Sequence, residues 1–348
     1  MNKKILIDEH NNSYSRGKEM QKKLFLKQLI INGIVFLLVI TSTTTAITIN
    51  ENHLLLKSTF DGTILYVGGS GLNNYTHIQD AINNASSGDT VFVYDDSSPY
   101  YEEVRINKSI SLIGEQKETT IIDTVGGGDA VAILVSHVML TGFTLQNSSG
   151  YLKGGINLVD VYIHDVMIYD NIITHNTQGV YIFRASNITL YNNKITQNEV
   201  GIQFLDGSTC VIRDNLINNN TKGLSIVYGE SDSMVSHNHI RDNDIGLVAD
   251  CSKLTIQSNN FINNRKQTSV TKGVHLLSCY LLPQTTLQWT NNYWDTWEKT
   301  TRKPILCIGF IYIQFLFHER FIDILLFIIP SIQFDKAPVL EPYEINIP

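Results

Sequence analysis

The stretch ITLYNNKITQN at positions 188–198 decides the fold, because four other stretches align with it without a gap. They are VMIYDNIITHN at 166–176, CVIRDNLINNN at 210–220, SMVSHNHIRDN at 233–243 and LTIQSNNFINN at 254–264. One asparagine recurs every 21 to 23 residues, at Asn171, Asn193, Asn215, Asn238 and Asn259. A second follows five residues later, at Asn176, Asn198, Asn220, Asn243 and Asn264. A repeat of this length predicts a solenoid in which each copy forms one coil.

Apolar residues keep fixed places around these asparagines. One lies three positions before the first asparagine, at Ile168, Leu190, Ile212, Val235 and Ile256, and another two positions after it, at Ile173, Ile195, Ile217, Ile240 and Phe261. Such short stretches, alternating with polar residues, predict strands with one buried face. Stacked coils place equivalent residues ~4.8 Å apart, so the asparagines should form two ladders of paired amides. The sequence predicts an all-β fold, a single right-handed parallel β-helix with coils between Gly127 and Asn292.

Glycines and broken spacing mark the rest of the predicted solenoid. A glycine opens the next coil at Gly179, Gly201, Gly223 and Gly246, where we expect it to supply backbone freedom at the turn. Val131–Asn147 is interpreted as an earlier coil, with Thr141 and Gly142 where the ladder asparagine would fall. The spacing breaks between Asn264 and Asn292, which indicates an insertion.

The two ends of a solenoid need caps. Thr76–Ala85 is predicted to be an N-terminal capping helix with Thr76 as its N-cap. Pro304–Phe334 is strongly apolar and is predicted to form a C-terminal cap, with an interfacial membrane helix as the alternative. The predicted organisation is a basic segment with an export signal at 1–47, the β-helix at 60–300 and the cap at 301–348.

The N-terminus has the order of an export signal. Lys22, Lys23 and Lys27 precede the apolar run Leu29–Ile40, and the small polar stretch Thr41–Ala46 follows. A cleaved signal peptide and a retained membrane anchor both fit this order. The sequence therefore predicts an extracytoplasmic protein, secreted or attached to the membrane through this segment.

Charge excludes one class of partner. Residues 1–47 carry a net charge of +4, which leaves −11 for the rest of a chain with net charge −7. Nucleic-acid binding needs clustered Lys and Arg, so no nucleic-acid partner is expected.

Several motifs resemble a known family. The ladder coils, GDTVFVY at 88–94, YYEEVRINKSISLIGE at 100–115, NNYWDTW at 291–297 and PSIQFDKAPVLEPYEI at 330–345 resemble the pectin-lyase-like β-helix proteins. Within that superfamily they are most similar to the NosD-type repeat proteins, in particular the exported archaeal group, over residues 64–345. The resemblance implies the fold but not one activity, since the superfamily holds lyases, hydrolases, carbohydrate binders and a copper-site assembly factor.

No catalytic residues are predicted. The outward column before the first ladder is Asp170, Asn192, Asp214, His237 and Ser258, in which the two carboxylates lie ~10 Å apart, too far to share one calcium ion. Arg213 beside Asp214 lacks a second acid. Asp242 and Asp244 lack the companion motifs that the resemblance to polygalacturonases would require. The favoured interpretation is a protein that is not an enzyme.

Metal binding rests on one histidine pair. His237 and His239 alternate around the inward-facing Asn238, so both are expected to point outward, near enough to chelate copper. The remaining candidates fall in earlier coils with no common column and are interpreted as scattered surface residues: His137, Met139, His164, Met167 and His175. No cofactor is predicted, and calcium or copper binding stays open.

The working hypothesis is an extracytoplasmic, non-catalytic β-helix that binds polysaccharide or another cell-surface partner such as a glycan. The alternatives are a polysaccharide lyase or glycoside hydrolase of the same fold, and a NosD-like copper-binding or metal-delivery protein. Trp289, Tyr293, Trp294 and Trp297 are either a sugar-stacking platform or the core of the C-terminal cap.

Overall fold

The computed structural model describes the chain at 62–159, 162–207, 209–227, 233–250, 254–277, 280–281, 287–296, 303–317, 320–335, 338–339 and 341–344. The predicted signal peptide or anchor at 1–47 lies outside these residues. Within the described part of the chain, no helix is long and apolar enough to cross a membrane.

Each regular coil contributes one strand to each of three faces. Face A consists of Ile64–Val67, Thr90–Val93, Ser111–Gly114, Val138–Thr141, His164–Tyr169, Ser186–Tyr191, Val211–Arg213, Ser233–Ser236, Leu254–Gln257 and Leu287–Thr290. Face B consists of Ile121–Asp123, Thr144–Gln146, Ile172–Thr174, Lys194–Thr196, Leu216–Asn218, His239–Arg241, Asn260–Ile262 and Tyr293–Trp294. Face C consists of Val104–Ile106, Val131–Ile133, Gly154–Val159, Gln178–Phe183, Val200–Leu205, Lys222–Val227, Ile245–Asp250 and Lys266–Leu277.

Strands within a face pair in parallel, each with its equivalent in the next coil. In the regular array Ile168 pairs with Leu190 on face A, and Ile173 with Ile195 on face B. These side chains point inward and are fully buried. The predicted all-β parallel solenoid is therefore confirmed, and its interior consists of continuous aliphatic columns that no coil could bury alone.

The first asparagine ladder lies at the corner between faces A and B. Asn193 donates from its backbone nitrogen and from Nδ2 to Asn215 Oδ1, both at 3.0 Å. Its Nδ2 also donates to the carbonyl oxygens of Ile168, in the preceding coil, and Tyr191. The pattern repeats from Asn171 to Asn292, and the last acceptor is the carboxylate of Asp335, which receives Asn292 Nδ2 at 3.0 Å. Each buried amide therefore pairs with backbone and with its neighbours in the ladder.

The second ladder lies at the corner between faces B and C. It runs from Asn176 to Asn264. At its end, Asn264 Nδ2 donates a hydrogen bond to Gln267 Oε1 at 2.7 Å. The glycines that follow this ladder do not adopt left-handed backbone, so the expectation that they supply turn freedom is wrong. A Cβ on Gly223 would instead lie 2.6 Å from the carbonyl oxygen of Gly246. Glycine is required because neighbouring backbones approach too closely for a side chain.

Left-handed backbone is found at the residues just before the ladder asparagines. Asp170, Asn192, Asp214, His237 and Ser258 have φ between 52° and 55°. In the earlier coil Gly142 takes this place, with φ of 83°, and Phe143 takes the ladder position, where its N–H donates to Asn171 Oδ1. The ladder position was therefore predicted one residue too early in this coil.

The N-terminal helix is shorter than predicted and is capped differently. It spans Ile78–Asn84, and His77, not Thr76, is the N-cap residue, without a side-chain capping bond. Glu102 supplies the cap, since its carboxylate accepts the N–H groups of Ile78 and Gln79 at 2.9 and 3.0 Å. The helix packs against the first strands of faces A and C.

The C-terminal region forms strands. Lys303–Phe317 and Arg320–Asp335 pair antiparallel, and the first also pairs in parallel with the last strand of face C. The alternative of an interfacial helix is therefore wrong for these residues. Whether an apolar cap covers the last coil stays a prediction. The break in spacing is also explained, because 33 residues separate Asn259 from Asn292 in the ladder and the face C strand between them is extended to 12 residues.

Candidate metal centre

The corner between faces C and A brings together two histidines and an aspartate. Val138 and Ile188 both pair with Val166, so the preceding residues His137, Asp165 and Asn187 stand one above another in consecutive coils. All three have left-handed backbone, with φ of 58°, 56° and 51°. His164 precedes Asp165 at the start of its strand. The fold therefore places His137 directly beside a His–Asp dipeptide of the next coil.

Distances within this group suit metal coordination. Asp165 Oδ2 lies 2.8 Å from His164 Nδ1 and 3.5 Å from His137 Nδ1. The imidazole rings lie edge to face, with centroids 5.1 Å apart. One ligand atom from each residue falls within 4.8 Å of the other two, and no other such group of three occurs among the described residues. We call His137, His164 and Asp165 the corner site.

The electrostatics of the corner site keep its carboxylate charged. Burial by itself would raise the pKa of Asp165, but hydrogen bonds from Asn187 and His164 and the charges of both imidazoles outweigh burial and lower it. The two histidine side chains are 61% and 47% exposed, so a solvated ion can reach them. The corner site is a surface site with a preformed negative ligand.

The ligand set selects among metals. Imidazole nitrogen suits copper and zinc, and divalent copper binds most tightly to a given nitrogen and oxygen site. Monovalent copper prefers thiolate or thioether sulfur. The corner site contains none, and the thioether of the nearby Met139 accepts a hydrogen bond from Tyr169 Oη at 3.4 Å. The residues therefore fit Cu(II) better than Cu(I) or calcium.

The predicted pair His237 and His239 is placed differently. The His237 ring packs edge to face against Tyr343, with centroids 6.1 Å apart. His239 Nε2 lies 2.9 Å from Asn260 Nδ2, and burial lowers the pKa of His239. Both imidazoles thus have protein neighbours, and no third ligand accompanies them in the described part of the chain. Joint metal binding by this pair stays a prediction.

The corner site was missed by sequence reasoning because of its spacing. His137 and Asp165 are 28 residues apart in equivalent positions, whereas the array that revealed the fold repeats at about 22. Aligning Val138 with Val166 in the sequence would have revealed the corner site, since each of these residues begins a stretch of alternating apolar residues.

The carboxylates considered for catalysis are paired with neighbouring cations. Lys117 Nζ lies 2.6 Å from Asp170, and Arg213 lies 2.5 Å from Asp214. Arg241 lies 2.9 Å from Asp242, and Arg265 lies 3.3 Å from Asp244. None of these four carboxylates faces a second acid among its described partners. The arrangement resembles surface ion pairs more than an acid–base pair.

Two other features bear on carbohydrate binding. Trp289 and Trp294 are buried, and Trp294 stacks on Phe261 with centroids 4.4 Å apart, so these two rings belong to the core. A groove of about 420 Å³ lies along the corner between faces B and C. Asn147, His175, Thr177, Gln197 and Glu199 are among its lining residues.

Comparison with known proteins identifies the family. A family described as periplasmic copper-binding protein (NosD) matches residues 82–299, more than half of the chain. The chain belongs to the NosD family. The resemblance to NosD-type, right-handed parallel β-helix proteins is thereby confirmed. No curated protein matches this NosD family member.

Similar solved structures include three carbohydrate-active enzymes. The A-module of a mannuronan C-5 epimerase from Azotobacter vinelandii is 17% identical, with 62% of this chain and 73% of that one covered and a TM-score of 0.42. An alginate lyase from Paenibacillus sp. is 13% identical, with coverage of 67% and 88% and a TM-score of 0.43. A pectate lyase from Bacillus sp. N165 is 13% identical, with coverage of 72% and 80% and a TM-score of 0.37.

Proposed function

We propose that this NosD family member is an extracytoplasmic, non-catalytic copper-binding protein that holds one Cu(II) ion at the corner site. The observation that carries the proposal is the convergence of His137, His164 and Asp165 from two consecutive coils. The description of the family as periplasmic and copper-binding supports it. This function corresponds to the copper-binding alternative rather than to polysaccharide binding, and its ligands are those of the corner site rather than His237 and His239.

The exposure of the corner site suits a cargo ion. Three protein ligands at the surface leave coordination positions open to water or to a ligand from another molecule. A metal held in this way can be passed on, which fits delivery better than a structural role.

Copper titration of the full-length protein tests the proposal. We expect one equivalent of Cu(II) by calorimetry, with two nitrogen ligands by electron paramagnetic resonance. His137→Ala and His164→Ala should each abolish the stoichiometric complex. His175→Ala is the matched control, since His175 is also exposed with φ of 56°. Equal loss in the control, or binding that only His237→Ala removes, would reject the corner site.

Glycan binding is a second candidate, favoured by the groove between faces B and C, where Asn147, Gln197 and Glu199 are among the lining residues. Its side chains offer both hydrogen-bond donors and acceptors, which sugar hydroxyl groups could pair with. A glycan-array screen of the protein with and without copper tests it. Binding that weakens in a Gln197→Ala variant supports a glycan partner, whereas release of unsaturated or reducing-end products would favour the lyase or hydrolase alternative.

A further inference from the structure

Asn187 lies one coil beyond the corner site and contacts its carboxylate. Its Nδ2 donates a hydrogen bond to Asp165 Oδ1, the oxygen that does not face the imidazoles. Asp165 Oδ2 is the atom nearest both His164 Nδ1 and His137 Nδ1. The two carboxylate oxygens therefore have separate partners, an amide on one side and two imidazoles on the other.

We infer that Asn187 is a positioning residue for the corner site, holding the Asp165 carboxylate so that Oδ2 points at the metal position. This inference rests on the proposed copper-binding function. A terminal carboxylate rotates easily about its last bond, and a hydrogen bond to one oxygen fixes that rotation. Partners of this kind orient metal ligands, and their removal typically costs 10- to 100-fold in affinity.

The backbone explains why an asparagine performs this task. Position 187 has φ of 51°, a left-handed conformation that asparagine tolerates better than most residues. His137, Asp165 and Asn187 belong to three consecutive coils. The short amide of Asn187 is therefore within reach of Asp165. Three successive coils thus contribute to one site, two with ligands and one with an orienting group.

The test compares variants that change the amide but not the backbone demand. Asn187→Gly removes the donor and accepts left-handed φ without strain. Asn219→Gly is the matched control, because Asn219 is exposed with φ of 55° at another corner. Asn187→Gln restores an amide, and Gln197, with φ of 57°, demonstrates that glutamine fits such a position.

Copper affinity is measured in the full-length protein by competition with a chelator, together with the electron paramagnetic resonance spectrum. We expect Asn187→Gly to lose about 10-fold or more in Cu(II) affinity and to change the oxygen contribution to the spectrum, with both nitrogens retained. Asn219→Gly should match the wild type, and Asn187→Gln should recover part of the loss.

Three outcomes would reject the role of Asn187, and one of them would also reject the proposed function. If the wild type binds one Cu(II) and Asn187→Gly binds it equally well with an unchanged spectrum, the positioning role of Asn187 is wrong and the corner site stands. If the wild type binds no stoichiometric copper, the proposed function fails, and the positioning role falls with it. A loss shared equally by Asn187→Gly and Asn219→Gly would indicate general destabilisation and would also reject the role of Asn187.

Discussion

The two ladder corners and the corner between faces C and A solve the same geometric problem in different ways. At the ladder corners, the turn is held by buried asparagines, each no more than 7% exposed, that pair with one another from coil to coil. At the third corner, the equivalent column is His137, Asp165 and Asn187, in which the histidine is 61% exposed and the partners vary from coil to coil. The ladder corners keep the same residue from coil to coil, whereas the corner between faces C and A does not.

The difference has a physical cause. A ladder amide satisfies buried backbone groups, so any other side chain leaves unpaired donors and acceptors inside the protein. The third corner is solvated, and water can satisfy whatever the side chains do not. Sequence can therefore vary at the third corner at little cost in stability. It is the place where a solenoid of this design can acquire a binding site without losing its fold.

The first prediction concerns the ladder and carries the largest effect. Asn215→Leu removes five hydrogen bonds, to Asn193, Asn238 and the carbonyl oxygens of Leu190 and Arg213. Because the partners stay buried and unpaired, we expect a loss of about 4 kcal/mol in the free energy of unfolding, measured by urea denaturation. Gln203→Leu, which removes one bond at a half-buried outward position, should cost far less. Equal midpoints for the two variants would contradict the ladder.

A substitution at the end of the first ladder should destabilise the protein nearly as much. Asp335 Oδ2 accepts hydrogen bonds from Asn292 N, Asn292 Nδ2 and Trp294 Nε1 at 2.9 to 3.2 Å. Asp335→Leu leaves these donors without that acceptor, and we expect a loss of about 3 kcal/mol by urea denaturation. Asp335→Asn keeps an acceptor oxygen and should recover most of the loss. A leucine variant as stable as the asparagine variant would rule out Asp335 as the ladder terminus.

A third prediction separates two reasons for the glycine column. If glycine were needed only for its backbone freedom, Gly223→Ala would hardly change the free energy of unfolding, because Gly223 does not have left-handed φ. The added Cβ would instead lie 2.6 Å from Gly246 O and 3.2 Å from Asn243 Nδ2, so we expect overpacking to cost about 2 kcal/mol. Gly88→Ala is the contrasting control, since its φ is 95° and nothing lies near the added carbon. Its cost would come from backbone strain alone.

Most of the fold was predictable from residues 166–264, because a ladder constrains the same positions in every coil. The sequence could not give the reason for the glycines, since close approach of two backbones has no signature distinct from turn freedom. It also could not identify Glu102 as the cap of the helix at Ile78, or Asp335 as the end of the ladder. Both contacts join residues distant in sequence that belong to no repeat.

The candidate site was less predictable than the fold for the same reason. His237 and His239 were chosen because they lie inside the regular array, where register is visible. The corner site lies where one coil is longer, so a search with a fixed period of about 22 residues does not align His137 with Asp165. Sequence reasoning worked where buried amides enforce the repeat and failed where solvent removes that constraint.

The smallest expected effect concerns Asp165 in the metal-free protein. Its pKa lies below the ordinary value of 3.8, despite the opposing effect of burial, because Asn187 and both imidazoles favour the charged form.

A carboxyl whose folded pKa is depressed contributes stability that is fully present above its unfolded pKa and is lost as pH falls through the folded pKa. The stability difference between wild type and Asp165→Asn should therefore shrink as pH falls below about pH 4. Urea midpoints in the presence of a chelator measure this difference, which we expect to stay below about 1 kcal/mol for a site this exposed. Asn187→Gly removes the leading favourable hydrogen bond, so the acid-dependent part should decrease in that variant. A difference that instead grows as pH falls below about pH 4 would mean that the surroundings of Asp165 disfavour its charged form, and the preformed negative ligand of the corner site would have to be abandoned.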